Sequence, residues 1–342
     1  MGFASLFAAE NLSMFDPASP PAASIRDLSV LVLAITGAIF FLVEAVLIYS
    51  LVFFRRRHAS GAGEPPQVYG SQPIEIAWTA APALIVFVIM LVVARTLGEL
   101  SKPKELPKDA EPLRVTVVGR QWWWELDYES YGERKLNFVT ANELHIPTSV
   151  LNGTAKERRP VFLTLRSADV CHSFWVPRLA GKTDLIPGRT NEMWFEASQP
   201  ALYLGQCAEY CGTQHANMLL RVNAESPEEF ERWLANQERP AERDPAGSAG
   251  KAIFLAQSCV NCHRVRGTPA AGTYAPDLTH LMSRETLAAG VIPKPKAGRI
   301  TEKDLDRWID DPQKVKVGCL MPAFKLSEHD RKLVVEYLLT LR

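Results

Sequence analysis

Two long apolar stretches near the N-terminus give way to short alternating runs, and these in turn to polar, helix-like segments. Leu28 to Phe54 is a run of 27 residues with a single charge, Glu44. As a helix it would rise about 40 Å, more than the roughly 30 Å hydrocarbon core of a bilayer. Ile76 to Ala94 adds 19 residues without any charge. Buried core helices are usually shorter and keep a polar stripe, so the pair predicts a transmembrane hairpin over 28–98, with helices at about 28–54 and 76–97. Pro82 falls inside the second run, where a membrane helix tolerates it. Arg55, Arg56 and Arg57 lie between the runs, and clustered arginines in a short loop mark the cytoplasmic side. Residues 1–27 then form an external tail, and everything after Leu97 lies outside the cytoplasm. The tail has no Lys or Arg before Arg26, so it lacks the basic start of a secretory leader.

From Pro112 the period shortens to two. Leu113, Val115 and Val117 alternate with Arg114 and Thr116, and Val161, Leu163 and Leu165 alternate in the same way. Asn191 to Phe195 and Leu219 to Val222 read as further strands, with Pro147, Pro160, Pro187 and Gly188 as punctuation. Short strands between turn signals predict an all-β sandwich or barrel over 112–236. Ser226-Pro227-Glu228-Glu229 opens a helix, with a capping serine, proline at the first position and acids in the first turn. The stretch 237–249 is polar and rich in Pro, Gly and charge, and reads as a linker.

Composition narrows the class. At 342 residues the chain suits two or three domains. Lys+Arg and Asp+Glu both number 38, which argues against a nucleic-acid binder. Six cysteines are too few for a disulfide scaffold at this length, so their spacing carries the information.

The spacing is concentrated in two places. Cys207-Ala208-Glu209-Tyr210-Cys211-Gly212-Thr213-Gln214-His215-Ala216-Asn217-Met218 offers two thiols, an imidazole and a thioether, and His172 adds a second imidazole. Thiolate, imidazole and thioether together suit copper. A Cys207–Cys211 disulfide and a zinc site of Cys207, Cys211, His172 and His215 remain open on spacing, although zinc leaves Met218 without a role. Further on, Cys259-Val260-Asn261-Cys262-His263 is a c-type haem attachment signature. A thioredoxin-like redox site is the weaker alternative, because no βαβ pattern surrounds the motif. The second axial ligand of an electron-carrying haem should be a methionine. Met321, followed by Pro322 and preceded by the Gly318 turn, is preferred to Met282, which sits in an apolar, helix-like stretch.

Cys-x-Glu-x-Cys-x-x-x-His-x-x-Met, with the upstream run from Asp169 to Pro177, resembles subunit II of haem–copper cytochrome c oxidases. So do Gly119-Arg120-Gln121-Trp122-Trp123-Trp124 and Lys182-Thr183-Asp184 followed by Ile186-Pro187-Gly188-Arg189. This resemblance runs from the hairpin to about Trp233. It implies a cupredoxin-like Greek-key barrel with a dinuclear copper A centre bridged by Cys207 and Cys211. His172, His215, Met218 and the backbone carbonyl of Glu209 would complete the ligand shells. It also implies a magnesium at the subunit I interface held by the Glu209 carboxylate, Trp122 as an exposed aromatic at which electrons enter, and Glu75 at the entrance of a proton path. Quinol-oxidising relatives lack the copper ligands, whereas the matching positions are filled here.

Residues 250–342 resemble a class I cytochrome c, which implies an all-α domain with helices at about 249–259, 301–310 and 327–341. Thr301-x-x-Asp304 and Ser327-x-x-Asp330 are capping-box starts. The combination resembles subunit II of caa3-type oxidases, an electron-entry subunit of a proton-pumping enzyme. An external cytochrome c or other membrane donor would feed haem c, then copper A, then haem in subunit I, where oxygen becomes water. Subunit III would be a further partner, and the location a bacterial plasma membrane with both redox domains on the outer side. The linker would raise the effective concentration of the haem domain, so that even a weak docking surface is occupied. The alternatives are subunit II of a copper A nitric oxide reductase and a membrane-anchored redox carrier or sensor. A nitrous oxide reductase is disfavoured by the hairpin and the domain order. Cys171 and Cys319 are expected to be buried thiols, and His145 a structural histidine.

Overall fold

The apolar stretches form α1 (Pro20–Phe53) and α2 (Gln72–Ser101) in a computed structural model that describes residues 12–55, 67, 69–101, 106, 110–149, 158–241, 248–292 and 300–342. Arg56, Arg57 and residues 242–247 of the expected linker lie outside the described residues. Both helices begin earlier than hydropathy alone predicts. Pro20 and Pro21 open α1 and Pro73 opens α2, at positions where the absent N–H is not missed. Their apolar windows have mean hydropathies of 2.7 and 2.6 and no buried residue. Side chains such as Phe41, 72% exposed, therefore face outward along helices long and apolar enough to cross a membrane. The chain divides into two compact units, Ala23–Lys104 and the rest.

In the second unit the alternating runs become ten strands: β1 (Leu113–Arg120), β2 (Trp123–Tyr131), β3 (Arg134–Ala141), β4 (Glu143–Pro147), β5 (Val161–Ser167), β6 (His172–Trp175), β7 (Thr183–Leu185), β8 (Asn191–Phe195), β9 (Ala201–Cys207) and β10 (Leu219–Glu225). They form two five-stranded sheets, ordered β3-β2-β1-β5-β8 and β4-β10-β9-β6-β7. β1 runs parallel to β5, with Leu113 opposite Val161, and β4 runs parallel to β10. Inward-facing positions fill the space between the sheets. Leu113, Val117, Trp124, Leu126 and Tyr128 on one sheet, and Leu144, Ile146, Phe174 and Val222 on the other, are all fully buried. The described residues just before α1 are strapped to this sandwich. The Ala18 amide donates to the Arg178 carbonyl, the Ser198 amide donates to the Ala18 carbonyl, and Asp16 pairs with the Arg178 guanidinium. α3 (Pro227–Gln237) follows with Ser226 as the expected cap, Ser226 and Glu229 completing a reciprocal capping box, and Phe230 and Leu234 close the end of the core.

The C-terminal helices are α4 (Ala249–Ala256), α5 (Cys259–Cys262), α6 (Glu302–Asp310), α7 (Pro312–Val315) and α8 (Glu328–Leu338). The expected helix over 249–259 ends at Ala256, because Gln257 adopts extended backbone and α5 starts a separate turn. The last helix stops before residue 341, because the Leu341 carbonyl is taken by the Met282 amide and its side chain is buried. Phe254, Val265, Leu305, Val335, Tyr337 and Leu338 form a second core, separate from that of the sandwich.

Candidate metal centres

The sheet β4-β10-β9-β6-β7 brings the first set of donors together. Cys207 ends β9, His172 starts β6, and the segment 207–218 folds back so that the Cys207 amide donates to the Met218 carbonyl at 3.0 Å. The Cys207 and Cys211 sulfurs lie 3.8 Å apart. His172 Nδ1 is 4.0 Å from Cys207 Sγ, His215 Nδ1 is 3.6 Å and Met218 Sδ 3.9 Å from Cys211 Sγ, and the Glu209 carbonyl is 3.2 Å from Cys207 Sγ. A disulfide would need sulfurs about 2.05 Å apart, so the pair is not one. Two sulfurs on one tetrahedral ion, with metal–sulfur bonds of about 2.3 Å, would be about 3.8 Å apart, so the spacing suits a shared metal. Two thiols, two imidazoles, a thioether and a carbonyl exceed what one tetrahedral ion can use, and the surplus fits a pair of coppers.

Neighbouring residues fix these donors. Asp169 accepts from His172 Nε2 at 2.8 Å, which turns Nδ1 toward Cys207. Burial works against a charged His172, but the bonds to Asp169 and Cys207 raise its pKa overall. The imidazole lies over Gly119, where an added Cβ would come within 2.7 Å of the ring. Gln121 Nε2 and Trp122 Nε1 donate to the Cys211 carbonyl at 2.7 and 2.9 Å. Gly212, at φ +113°, makes the turn that presents that carbonyl, and a Cβ there would crowd both donors. Contact with Cys211 pulls Cys207 down toward the thiolate, and contact with Cys207 pushes Cys211 up.

Three expectations about burial are corrected, those for Trp122, Cys171 and Cys319. Trp122 is only 8% exposed, because the segment after α7 lies across it and a Cβ on Gly318 would meet its indole at 3.4 Å. Cys171 is exposed, since the turn that buries His172 points its neighbour outward. Cys319 is half-buried, with its carbonyl and sulfur held by Gln313 Nε2. The side chain nitrogens of His145 bond Glu225 and Asn223, and its ring stacks on Trp233 away from the sulfurs. At Glu209 it is the carbonyl, not the carboxylate, that faces the sulfurs. Glu75 sits in the first turn of α2, with Oε1 where a Cβ of Gly70 would be.

The second set of donors belongs to α5. His263 Nδ1 donates to the Pro276 carbonyl at 2.8 Å, which leaves Nε2 as the ligating nitrogen, and burial holds the ring neutral. Gly272 passes so close that a Cβ would lie 2.4 Å from the Cys262 carbonyl carbon, and its amide donates to the His263 carbonyl. The strap keeps the Cys-x-x-Cys-His turn in place. Met321 is half-buried, and Gln313 Nε2 holds its carbonyl. Met282 is partly buried against the second core and bonded to Leu341. Two thiols, an oriented neutral imidazole and a thioether suit a covalent haem.

Two functional candidates escaped the sequence. Lys316 and Glu143 are 3% and 1% exposed, although nothing in their local pattern distinguishes them from solvated charges. Burial lowers the Lys316 ammonium to about 8.

Three family models match the chain: "Cytochrome C oxidase subunit II, transmembrane domain" over residues 8–94, "Cytochrome C oxidase subunit II, periplasmic domain" over 113–225, and "Cytochrome c" over 247–342. Cytochrome c oxidase subunit 2 of Alkalihalophilus pseudofirmus is 34% identical, over 97% of this chain and 92% of that protein. The same subunit of Bacillus sp. strain PS3 is 31% identical, over 84% and 80%. The crystal structure of the periplasmic domain of subunit II of the Bradyrhizobium japonicum cytochrome oxidase is 28% identical, covers 39% of this chain and 96% of that one, and superposes with a TM-score of 0.33.

Proposed function

The chain belongs to the cytochrome c oxidase subunit II family with a C-terminal cytochrome c domain, and on that premise we propose that it conducts electrons from an external donor through haem c and copper A to subunit I. The observation that carries this reading is the ring of sulfur, imidazole and carbonyl donors around Cys207 and Cys211. When bound, the copper pair and the haem supply reversible one-electron oxidation and reduction with little movement of their ligands.

The protein's residues make that possible by rigidity. Cys207, Cys211, His172, His215, Met218 and the Glu209 carbonyl would hold the copper pair. Asp169 holds the His172 ring, while Gln121 and Trp122 hold the Cys211 carbonyl, so the donors keep their places in both oxidation states. Cys259 and Cys262 would hold the haem through their sulfurs, with His263 Nε2 and Met321 Sδ as the nitrogen and sulfur donors to its iron. Trp122 would relay electrons to Cys211 through its indole N–H contact. The Glu209 carboxylate would help bind magnesium against subunit I, and Glu75 would admit protons to it. α1 and α2 would place both redox domains on the outer side of a bacterial plasma membrane, with subunit III as a further neighbour.

Metal analysis and low-temperature electron paramagnetic resonance of the purified full chain test the reading. Two coppers per haem, with one electron shared over both, is the expected result; zinc or a single copper would overturn it. Met321→His should leave haem attached and lower its potential by a good part of the roughly 0.8 V that axial ligands span. An unchanged potential in redox titration removes Met321 from the haem. Glu75→Gln should slow turnover of the assembled oxidase while both metal spectra stay the same.

A further inference from the structure

The contact between the sandwich and the C-terminal helices contains two buried charges that do not meet each other. Lys316, from the C-terminal domain, donates to the carbonyls of Trp122 and Asn217 in the sandwich, both at 2.8 Å, and to its own domain's Ala288 at 2.9 Å. Its three N–H groups therefore have three acceptors. Glu143, from β4 of the sandwich, reaches the other way. It accepts from the amides of Glu285 and Thr286, at 2.9 and 2.7 Å, and from the Thr286 hydroxyl at 2.9 Å. Each domain thus solvates the other's charge with backbone dipoles. Between these points Gln214 Nε2 donates to the Val317 carbonyl at 2.9 Å, Arg221 pairs with Glu285, and Gly290 fits so closely that a Cβ would press on Leu219 at 3.1 Å.

Surfaces that dock and release keep their charges at a wet rim, whereas a dry charge at the centre needs its partners permanently. We infer that Lys316 and Glu143 form a reciprocal latch that seals the C-terminal domain onto the sandwich over Trp122, making the docked arrangement the standing state of the chain. Trp122 then serves as an internal bridge, and an outside donor must deliver its electrons to the C-terminal domain. The loop that starts at Lys316 runs on to Met321, so the latch also fixes the proposed axial ligand's loop against the Trp122–Cys211 contact. This inference rests on reading the two domains as successive electron carriers, and it replaces the weak tethered docking expected from the linker.

The test uses the full chain and reads each variant at the far end of the contact. Lys316→Met should speed hydrogen exchange at the Glu285 and Thr286 amides, and Glu143→Gln should open Trp122 to oxidative labelling, each by about tenfold or more, the effect of losing a charged hydrogen bond. Protection in α8, at Val334 and Val335, should not change. Changes confined to the near end of each substitution, or loss of protection in α8 as well, would overturn the latch. In the metal-loaded chain, electron transfer from haem to copper should not depend on solvent viscosity, and should slow and become viscosity-dependent in both variants. Viscosity dependence in the unmodified chain would also overturn it. A chain that bound neither metal would sink the functional reading alone, because hydrogen exchange and labelling need no metal.

Discussion

Cys211→Ser should remove the copper centre from an otherwise folded chain. The Cys211 sulfur is the hub of the donor ring, with Cys207 Sγ at 3.8 Å, His215 Nδ1 at 3.6 Å and Met218 Sδ at 3.9 Å. A hydroxyl is a poor ligand for a soft ion and remains protonated where the thiol ionises. Losing an outer partner such as Asp169 should cost about 10–100-fold in copper affinity, so losing a proposed donor itself should cost more. The fold should survive, because the pinning contacts from Gln121 and Trp122 reach the Cys211 carbonyl and not its side chain. Copper content and the electron paramagnetic resonance signal should both disappear while the haem absorbance stays normal. A Cys211→Ser chain that still held two coppers sharing an electron would remove Cys211 from the proposed copper site. Met218→Leu, which removes a donor at the edge of the ring, should instead keep the copper and unbalance the pair.

The sequence made the chemistry of these sites legible because their donors come from short local patterns. Cys207 to Met218 and Cys259 to His263 each specify a turn and a set of atoms within a few residues. The hairpin was equally legible, since a long uncharged run has few other fates. What it could not show were contacts between elements far apart in the chain. Trp122 looks exposed in isolation and is buried because residues after α7 fold across it. Lys316 and Glu143 carry side chains that are usually solvated, and only the meeting of two domains gives them backbone partners. The strap of Ala18 on Arg178 and Ser198 is similarly long-range, and its residues carry no periodic signal. Cys171 was misjudged for a local reason. The neighbour of His172 in this tight turn points away from the sulfurs, and a cysteine's usual burial suggested the opposite.

Gly250→Ala should unfold the C-terminal domain while leaving the copper site intact. In an ordinary helix this change is favourable by about 1 kcal/mol. Gly250 lies where α4 crosses α8, and a Cβ there would be 2.0 Å from the Leu333 carbonyl oxygen and 3.0 Å from Tyr337 Cβ. The obstacle is backbone, so no rotamer change relieves it, and the helices must separate. Separation would break the contact between Phe254 and Tyr337, whose rings are 5.6 Å apart in the domain's own core. Overpacking typically costs about 1–3 kcal/mol and more on occasion, and with a backbone oxygen as the obstacle it should outweigh the propensity gain and reverse its sign. The sandwich core shares no buried residue with the C-terminal core, so copper binding should persist as haem retention falls. Thermal unfolding followed separately by haem absorbance and copper signal would show the split. Gly37→Ala in α1, where a Cβ meets nothing within 4 Å, is the control and should lower neither the haem nor the copper transition. Equal melting of Gly250→Ala and the unmodified chain would mean that α4 and α8 do not cross at this glycine.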